Sequence, residues 1–502
     1  MSTTADTLAL LKTAQSTPIS DITNDTLRKS VSTGTGLVGY DLQAPAKNLY
    51  PVLTPLRNFI PRVPGDTGLA TNWRVVSAIT GSGMSAMPWV PEGQRSARMS
   101  YTTSTKAASY VTIGEEDQVS FEAVTAARTF EDIKATAAIR LLQQTMIKEE
   151  NAILGGNASI SLGTPATPTV ANASTGGSLA AATYNVYVVA LTYEGYKMAS
   201  VSGGVQTSQT ITGADALTYT LNGGSSQKSS AGSTTTSGST SVITATVTAI
   251  AGAVAYAWFV GTSGNEKITA ITTINSASIS TLVGQGTQNA SAVTADSSKN
   301  ASLAFDGLLT WAFNQGGYIG TQATGTAGVG TPLTSSGRGS INEIDTMLQS
   351  MWDNYRLSPS VLWMNSQELK NVTSKVLSNA SGPLLRYTAA SDDAGMNEYR
   401  LVASGTIDFY FNPFALDGGR KMPIRVPPTL PAGTILATTG DLPTQYQNNN
   451  VPNVCEVKTR RDYYEIDYPL RTRQYEMGVY AEQVLAVYAP FALGVITNIA
   501  NG

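Results

Sequence analysis

Histidine is absent from this 502-residue chain. That removes Ser-His-Asp and Cys-His nucleophilic sites, His-ligated zinc and the commonest general base near neutral pH. Cysteine occurs once, at Cys455, so no intrachain disulfide can form, and a cytosolic origin fits. Charge is sparse: 13% of residues are Asp, Glu, Lys or Arg, against roughly 25% in ordinary soluble chains. With a net charge of −3 there is no basic field to suggest specific nucleic-acid or anionic-membrane binding. No run of about 18 apolar residues offers a membrane span. The first residues, Met1-Ser-Thr-Thr-Ala-Asp, lack the basic and apolar regions of a signal peptide. No acid–base pair or nucleophile site assembles, so the expectation is no enzyme: no catalytic, cofactor-binding or metal residues, and no cofactor.

What fills the chain is Ser, Thr, Ala and Gly, unevenly spread. The strongest element is a helix expected from Phe130 to Leu154, with Thr129 as N-cap and Glu131 and Asp132 in its first turn. Ile133, Ala137, Leu141, Leu142 and Met146 mark one face, and Gly155-Gly156 stops it. Before it, prolines 45, 51, 55, 61 and 64 interleave with Leu49, Val52, Leu53, Leu56, Phe59 and Ile60. Such spacing forbids a long helix and favours extended chain with at most one short turn of helix, an arm that lies on a neighbour or else an ordinary surface-crossing segment. Residues 66–113 read as a two-stranded ribbon with too few large aliphatics for its own core, so it needs a partner surface.

After the helix the composition breaks. No arginine occurs between Arg140 and Arg338, and short strands recur between Gly/Ser/Asn clusters, the pattern of an all-β sandwich. Within it, the low-complexity tract Gly223–Thr240 is expected to be a floppy loop. Beyond residue 300 come a capping box at Ser340-Ile-Asn-Glu343, a strand Val361–Met364, and a second box-like start at Asn365-Ser-Gln-Glu368. Strands at Ile407–Phe411, Pro423–Val426 and Thr434–Thr438 complete an α/β unit. Aromatic-rich strands then close the chain from Cys455 to Ile499.

Four of these features, in order, resemble the major capsid proteins of tailed bacteriophages, a fold shared with encapsulins. Trp89-Val-Pro-Glu92-Gly93 resembles the family's Trp-Val-x-Glu-Gly stretch in its extended loop. Thr102 to Glu122 is similar to that loop's return strand. Val361-Leu-Trp-Met-Asn365 with its following helix resembles the axial domain, and Tyr475 to Ala489, ending in Tyr-Ala-Pro-Phe-Ala492, the closing strands of the peripheral domain. Residues 163–297 separately resemble immunoglobulin-like or fibronectin type III modules. The resemblance implies an α+β phage capsid fold with these parts: N-terminal arm 1–65, extended loop 66–113, and spine helix with the start of the peripheral domain 114–162. An inserted immunoglobulin-like β-sandwich would follow at 163–297, a return and linker at 298–335, an axial domain at 336–445, and C-terminal peripheral strands at 446–502.

It further implies self-assembly into pentamers and hexamers of a shell in the virion, built in the host cytoplasm around double-stranded DNA held non-specifically. A weakly acidic chain suits such a container, because it does not clamp DNA through counterion release. A separate scaffolding protein is expected, since only about 45 residues precede Pro45, along with a portal and decoration proteins but no membrane partner. Subunit-contact candidates are Trp89, Glu92, Lys106, Arg460, Arg461, Arg471 and Arg473. Lys106 stands in the loop where some relatives carry a cross-linking lysine, but near its base; an ordinary solvated lysine is the plainer reading. The basic cluster 458–473 fits either subunit or DNA contacts, or local ion pairs with Asp462, Glu465 and Asp467. Glu115-Glu116-Asp117 offers hard oxygen ligands for a divalent cation, or simply a solvated face. The rival readings are an encapsulin-like compartment and, from another class, a tail or bacterial surface adhesin of β modules.

Overall fold

The computed structural model describes residues 51–80, 89–96, 98–128, 131–336, 339–378, 386–388, 400–402, 407–416, 418–442 and 453–500. The expected arm before Pro51 and the N-cap Thr129 lie outside them. The chain is α+β. A short helix α1 (Pro55–Phe59) leads into β1 (Arg62–Pro64). The ribbon follows: β2 (Ala70–Thr80) and β3 (Ser100–Ser109), antiparallel. β4 (Val111–Ser120) continues it. Helix α2 (Phe121–Ala127) falls mainly in residues 122–133, which group apart from 51–121 and 134–502. The long helix α3 runs Ile133–Gly155, about 35 Å at ~1.5 Å per residue. It starts later than the pattern predicts, so Glu131 and Asp132 precede it instead of occupying its first turn.

The arm expectation needs correction for residues 55–64. Leu56 and Ile60 are buried in this chain's own core, beside Ile153 and Leu154 of α3. The reason is a matching surface on α3, 87 or more residues away, which no local pattern reveals.

Residues 163–297, the expected insert, contain β5 (Thr169–Ala173), β6 (Thr183–Leu191), helix α4 (Tyr193–Met198), β7 (Ser208–Thr212), β8 (Thr218–Asn222) and β9 (Gly232–Thr235). It continues through β10 (Val242–Thr246), β11 (Ala255–Gly261), β12 (Lys267–Thr272) and β13 (Ser276–Ile279). Sheets ordered β13-β10-β5 and β12-β11-β6-β9 face each other, with β7-β8 a separate hairpin. Tyr184, Val186 and Val188 point into the core between the sheets with Trp258; Val189 and Leu191 point the other way, into a second core with Phe259 and Ile268. Burial on both faces explains why β11 reads as an almost continuous apolar run.

The tract 223–240 is no floppy loop. Ser226 and Ser229 exchange hydrogen bonds with β6: their N–H groups donate to Ala190 O (2.8 Å) and Val188 O (2.9 Å), and their hydroxyls accept from Ala190 N (2.8 Å) and Val188 N (3.0 Å). β9 then pairs with β6 in regular register. Small hydroxyl residues complete a sheet edge here, and such residues carry no hydrophobic signal.

The remaining chain forms α5 (Leu308–Asn314), β14 (Tyr318–Thr321), α6 (Asn342–Tyr355), β15 (Val361–Met364) and α7 (Ser366–Ser378). Then come the pair β16 (Arg386–Thr388) and β17 (Arg400–Val402), β18 (Phe409–Asn412), β19 (Arg420–Arg425) and β20 (Ile435–Thr438). β21 (Cys455–Asp467), β22 (Gln474–Val487) and β23 (Leu493–Thr497) close it. A six-stranded sheet, β14-β23-β20-β15-β19-β18, carries Ile344, Leu348 and Met351 of α6 and Val372 of α7 in its own core. A four-stranded sheet, β1-β21-β22-β4, supports the ribbon.

The second helix start forms as expected on one side only. Asn365 Oδ1 accepts from Gln367 N (3.0 Å), but Glu368, fully buried, accepts from Gly433 N (3.0 Å) instead of closing a box. At the first, Ser340 bonds Ser336 O and Glu343 accepts from Thr334 N (2.9 Å), so no reciprocal box exists.

Candidate assembly surfaces

The ribbon pairs from Ala70↔Ser109 to Thr80↔Ser100, with one irregularity between Val76 and Ala78. At ~3.4 Å per residue that is roughly 30 Å of two-stranded sheet. Its base is seated firmly. Trp73 lies between Trp311 of α5 (ring centroids 6.1 Å apart) and Tyr488 (5.4 Å, edge-on). Lys106, directly across from Trp73, donates to Gln315 Oε1 at 2.7 Å. Lys106 is therefore half-buried and bonded within its own chain, not simply solvated. Tyr110 fits against Gly65, where an added Cβ would come within 2.2 Å of its hydroxyl.

Further out the support ends. Trp89 is 82% exposed, Met99 65% and Tyr101 64%; Val76 and Val90 are exposed as well, and so is Glu92. Leu69, beside the base, is also 82% exposed. Single exposed apolar residues are ordinary, but a run of large ones along an unsupported ribbon marks an interaction surface.

The segment 55–64 is held in a different way. Glu149 and Glu150 sit fully buried on α3. Glu149 takes Arg57 Nε (2.6 Å), Arg62 and the Tyr463 hydroxyl. Glu150 accepts from the N–H groups of Leu56 (3.1 Å) and Arg57 (2.7 Å), capping the first turn of α1. Arg62 also reaches Asp462 (2.7 Å) and Gln483 Oε1 (2.9 Å), and both guanidiniums lie over the Tyr463 ring. Burial pushes the Glu150 carboxyl above its usual range, with the two amide bonds opposing. Burial opposes the charge of Arg57 too, but Tyr463 and Glu149 outweigh it and raise its pKa. For Asp462 the hydrogen bond from Arg62 overcomes burial and holds the carboxyl below its usual range. None of Arg57, Arg62, Glu149, Glu150 or Tyr463 stands out from the sequence alone. The readable signal was two acids in phase with the apolar stripe of a helix, at Glu149 and Glu150 beside Met146 and Ile153.

The basic candidates separate on the β21-β22 hairpin. Arg460 pairs with Glu482 across the strands (2.6 Å), and Arg461 lies over the Tyr464 ring. Asp462, expected to pair within the cluster, goes to Arg62 instead. Neighbours along a strand point to opposite faces, so cross-strand partners win over sequence neighbours. Arg471 and Arg473 are exposed near the turn, and the Arg473 carbonyl accepts from Phe121 N (3.2 Å). The same alternation splits the acidic run. Glu115 pairs with Lys148, Glu116 accepts from Tyr480 and from Tyr468 (3.0 Å), and Asp117 accepts from Gln118 N (2.8 Å). Among the described residues no cluster of three such groups could hold a metal ion. Burial, aided by the Glu456 charge, pushes the Cys455 thiol up to about 12, leaving it an unreactive core residue. Among the described residues no helix is long and apolar enough to cross a membrane.

No protein-family model matches the sequence, and no curated protein resembles it. Solved structures do. The capsid of Myoviridae phage XM1 aligns over 93% of this chain and 98% of its own at 7% identity, with a TM-score of 0.41. The capsid of a native GTA particle aligns over 93% and 97% at 11% identity, TM-score 0.40. The holo-SrpI encapsulin complex of Synechococcus elongatus aligns over 93% and 95% at 9% identity, TM-score 0.36. Two of these three structures are capsids and the third is an encapsulin complex.

Proposed function

We propose that this chain is the building subunit of a phage-type head shell, assembling with copies of itself around double-stranded DNA. The observation that carries the reading is the ribbon: rigidly seated at Trp73 and Lys106, and bare along its large apolar side chains further out. An isolated ribbon is only marginally stable in water, so its outer part needs a surface that its own chain does not supply. A neighbouring copy supplies it at no extra cost in sequence, and repeated use of one such contact closes rings. Trp89 and Glu92 would meet the neighbour through the ribbon, and Arg471 and Arg473 through the exposed hairpin end. A separate scaffolding protein and a portal complete the assembly. The reading assigns the chain no catalytic step.

Negative-stain electron microscopy of the chain expressed alone, and with a candidate scaffolding protein, tests this. Closed shells, or rings of five and six subunits, are expected. Monodisperse monomers at high concentration would overturn the reading. Shells that enclose protein in place of DNA would move it to a storage compartment.

A further inference from the structure

The insert is more than a module hung on a neck. Its two chain ends do meet: Gly307 N donates to Gly156 O (2.8 Å), and Asn300 N to Asn157 O (2.9 Å). An appended domain would stop there. Two of its further contacts are buried, far from the neck in sequence, and each reaches two separate elements of the surrounding fold.

The first is Tyr193, at the start of α4. Its ring leaves the insert and joins the main core, packed on the last residue of α3. Gly155 makes this possible, because a Cβ there would come within 2.3 Å of the ring. The hydroxyl then reaches Asn151 Oδ1 on α3 (2.7 Å) and Thr429 O in the loop between β19 and β20 (3.0 Å). One insert side chain thus links the long helix to the α/β unit.

The second is a reciprocal amide pair. Asn275 N donates to Asn498 Oδ1 (2.7 Å), and Asn498 Nδ2 donates back to Asn275 Oδ1 (3.1 Å) and on to Gln322 O (2.7 Å). Asn275 Nδ2 completes the set with Thr324 Oγ1 (2.9 Å) and Val247 O (2.6 Å). Asn498 takes a left-handed conformation (φ 64°) just after β23, which asparagine tolerates better than most residues. Both side chains are almost fully buried, so every bond made is one that water cannot replace.

We infer that the insert is an internal brace. Through Tyr193 it ties the end of α3 to the loop ahead of β20, and through Asn275 it ties the chain after β14 to the chain after β23. This role belongs to the subunit itself and does not depend on what the subunit assembles into.

Hydrogen exchange on full-length Tyr193→Phe and Asn275→Ala tests it, with Tyr219→Phe on the exposed β7-β8 hairpin as control. Losing about one buried hydrogen bond corresponds to roughly tenfold faster local opening. Tyr193→Phe should show that change at residues 427–433, and Asn275→Ala at 322–324 and 497–500. Exchange in β6 and β11, the centre of the insert, should stay at the parent rate in both. Parent-like exchange in those host segments overturns the brace. So does equal loosening of β6 and β11, which would mean that the substitutions merely destabilise the insert. The control should change nothing outside its hairpin.

Discussion

Residues 55–64 and the ribbon look alike as sequence: both carry apolar side chains at intervals, and both invite a partner. Their outcomes are opposite. The first finds its partner in cis, with Leu56 and Ile60 in the core and two arginines gathered on Glu149. The second keeps only its base and leaves Trp89, Met99 and Tyr101 to solvent. Apolar spacing tells that a segment needs a surface; buried charge tells whether its own chain provides one. Glu149 has no reason to be buried on α3 except to receive Arg57 and Arg62, so the acid is a sign of docking in cis. Among the described residues, no buried carboxylate faces the outer ribbon.

Removing the acid breaks the comparison most directly. Glu149→Ala leaves two arginines and the Tyr463 hydroxyl around an empty site, and losing one partner of a buried ion pair costs about 3 kcal/mol or more. Denaturant unfolding of the isolated subunit should show that loss, with Glu149→Gln losing less because the amide oxygen still accepts. An unchanged midpoint for Glu149→Ala would mean that segment 55–64 is held by apolar contact alone.

Glu194 sharpens the point with a carboxylate that is paired with no cation among the described residues. It sits in the first turn of α4, where its neighbour is the Asn300 amide at 3.5 Å. Burial pushes it up to about 7 from an ordinary 4.5, partly offset by that bond. A raised carboxyl contributes stability that is fully present below about pH 4.5 and lost as the pH rises through 7. The subunit should therefore unfold less readily at pH 5 than at pH 8 on account of this group. Glu194→Gln should remove that dependence and stabilise the protein at pH 8 by about 1–2 kcal/mol, discounted from the full linkage value for partial exposure. Destabilisation by Glu194→Gln at pH 8 would mean that the ionised carboxylate has a partner worth more than its desolvation.

Much of this architecture was legible because hydrophobic period carries it. Ala137 and Leu141 of the α3 stripe, the strands within 163–297 and the alternation around Val361–Met364 follow from burial on one or both faces. Asn365 was legible as a cap because its bond is local. What escaped was polar and distant. Ser226 and Ser229 pair with β6 through hydroxyls, which no apolar count detects. Glu343 and Glu368 leave their expected boxes for Thr334 and Gly433, because an incoming or neighbouring loop presents a needier N–H than the helix's own. The side chains of Arg57 and Arg62 meet partners 87 to 421 positions along the chain. Of the candidate assembly residues, Trp89 carries a sequence motif and is exposed, whereas Lys106 and Arg460 bond inside their own chain through distant partners that no motif shows.

The smallest effect on the subunit should come from the ribbon's outer part, and there it separates folding from assembly. Trp89 and Met99 are exposed, so Trp89→Ala and Met99→Ser should shift unfolding of the isolated subunit by no more than about 0.5 kcal/mol. The same pair should sharply reduce closed particles in the electron-microscopy assay, since a truncated aromatic at the centre of a contact typically costs more than 1 kcal/mol per copy and a shell repeats it in every subunit. It should also reduce the aggregation of unassembled chains, because the exposed apolar surface is smaller. A variant that assembles as well as the parent would move the contact off the ribbon. One that loses several kcal/mol of subunit stability would place Trp89 against its own chain, and the contrast with residues 55–64 would disappear.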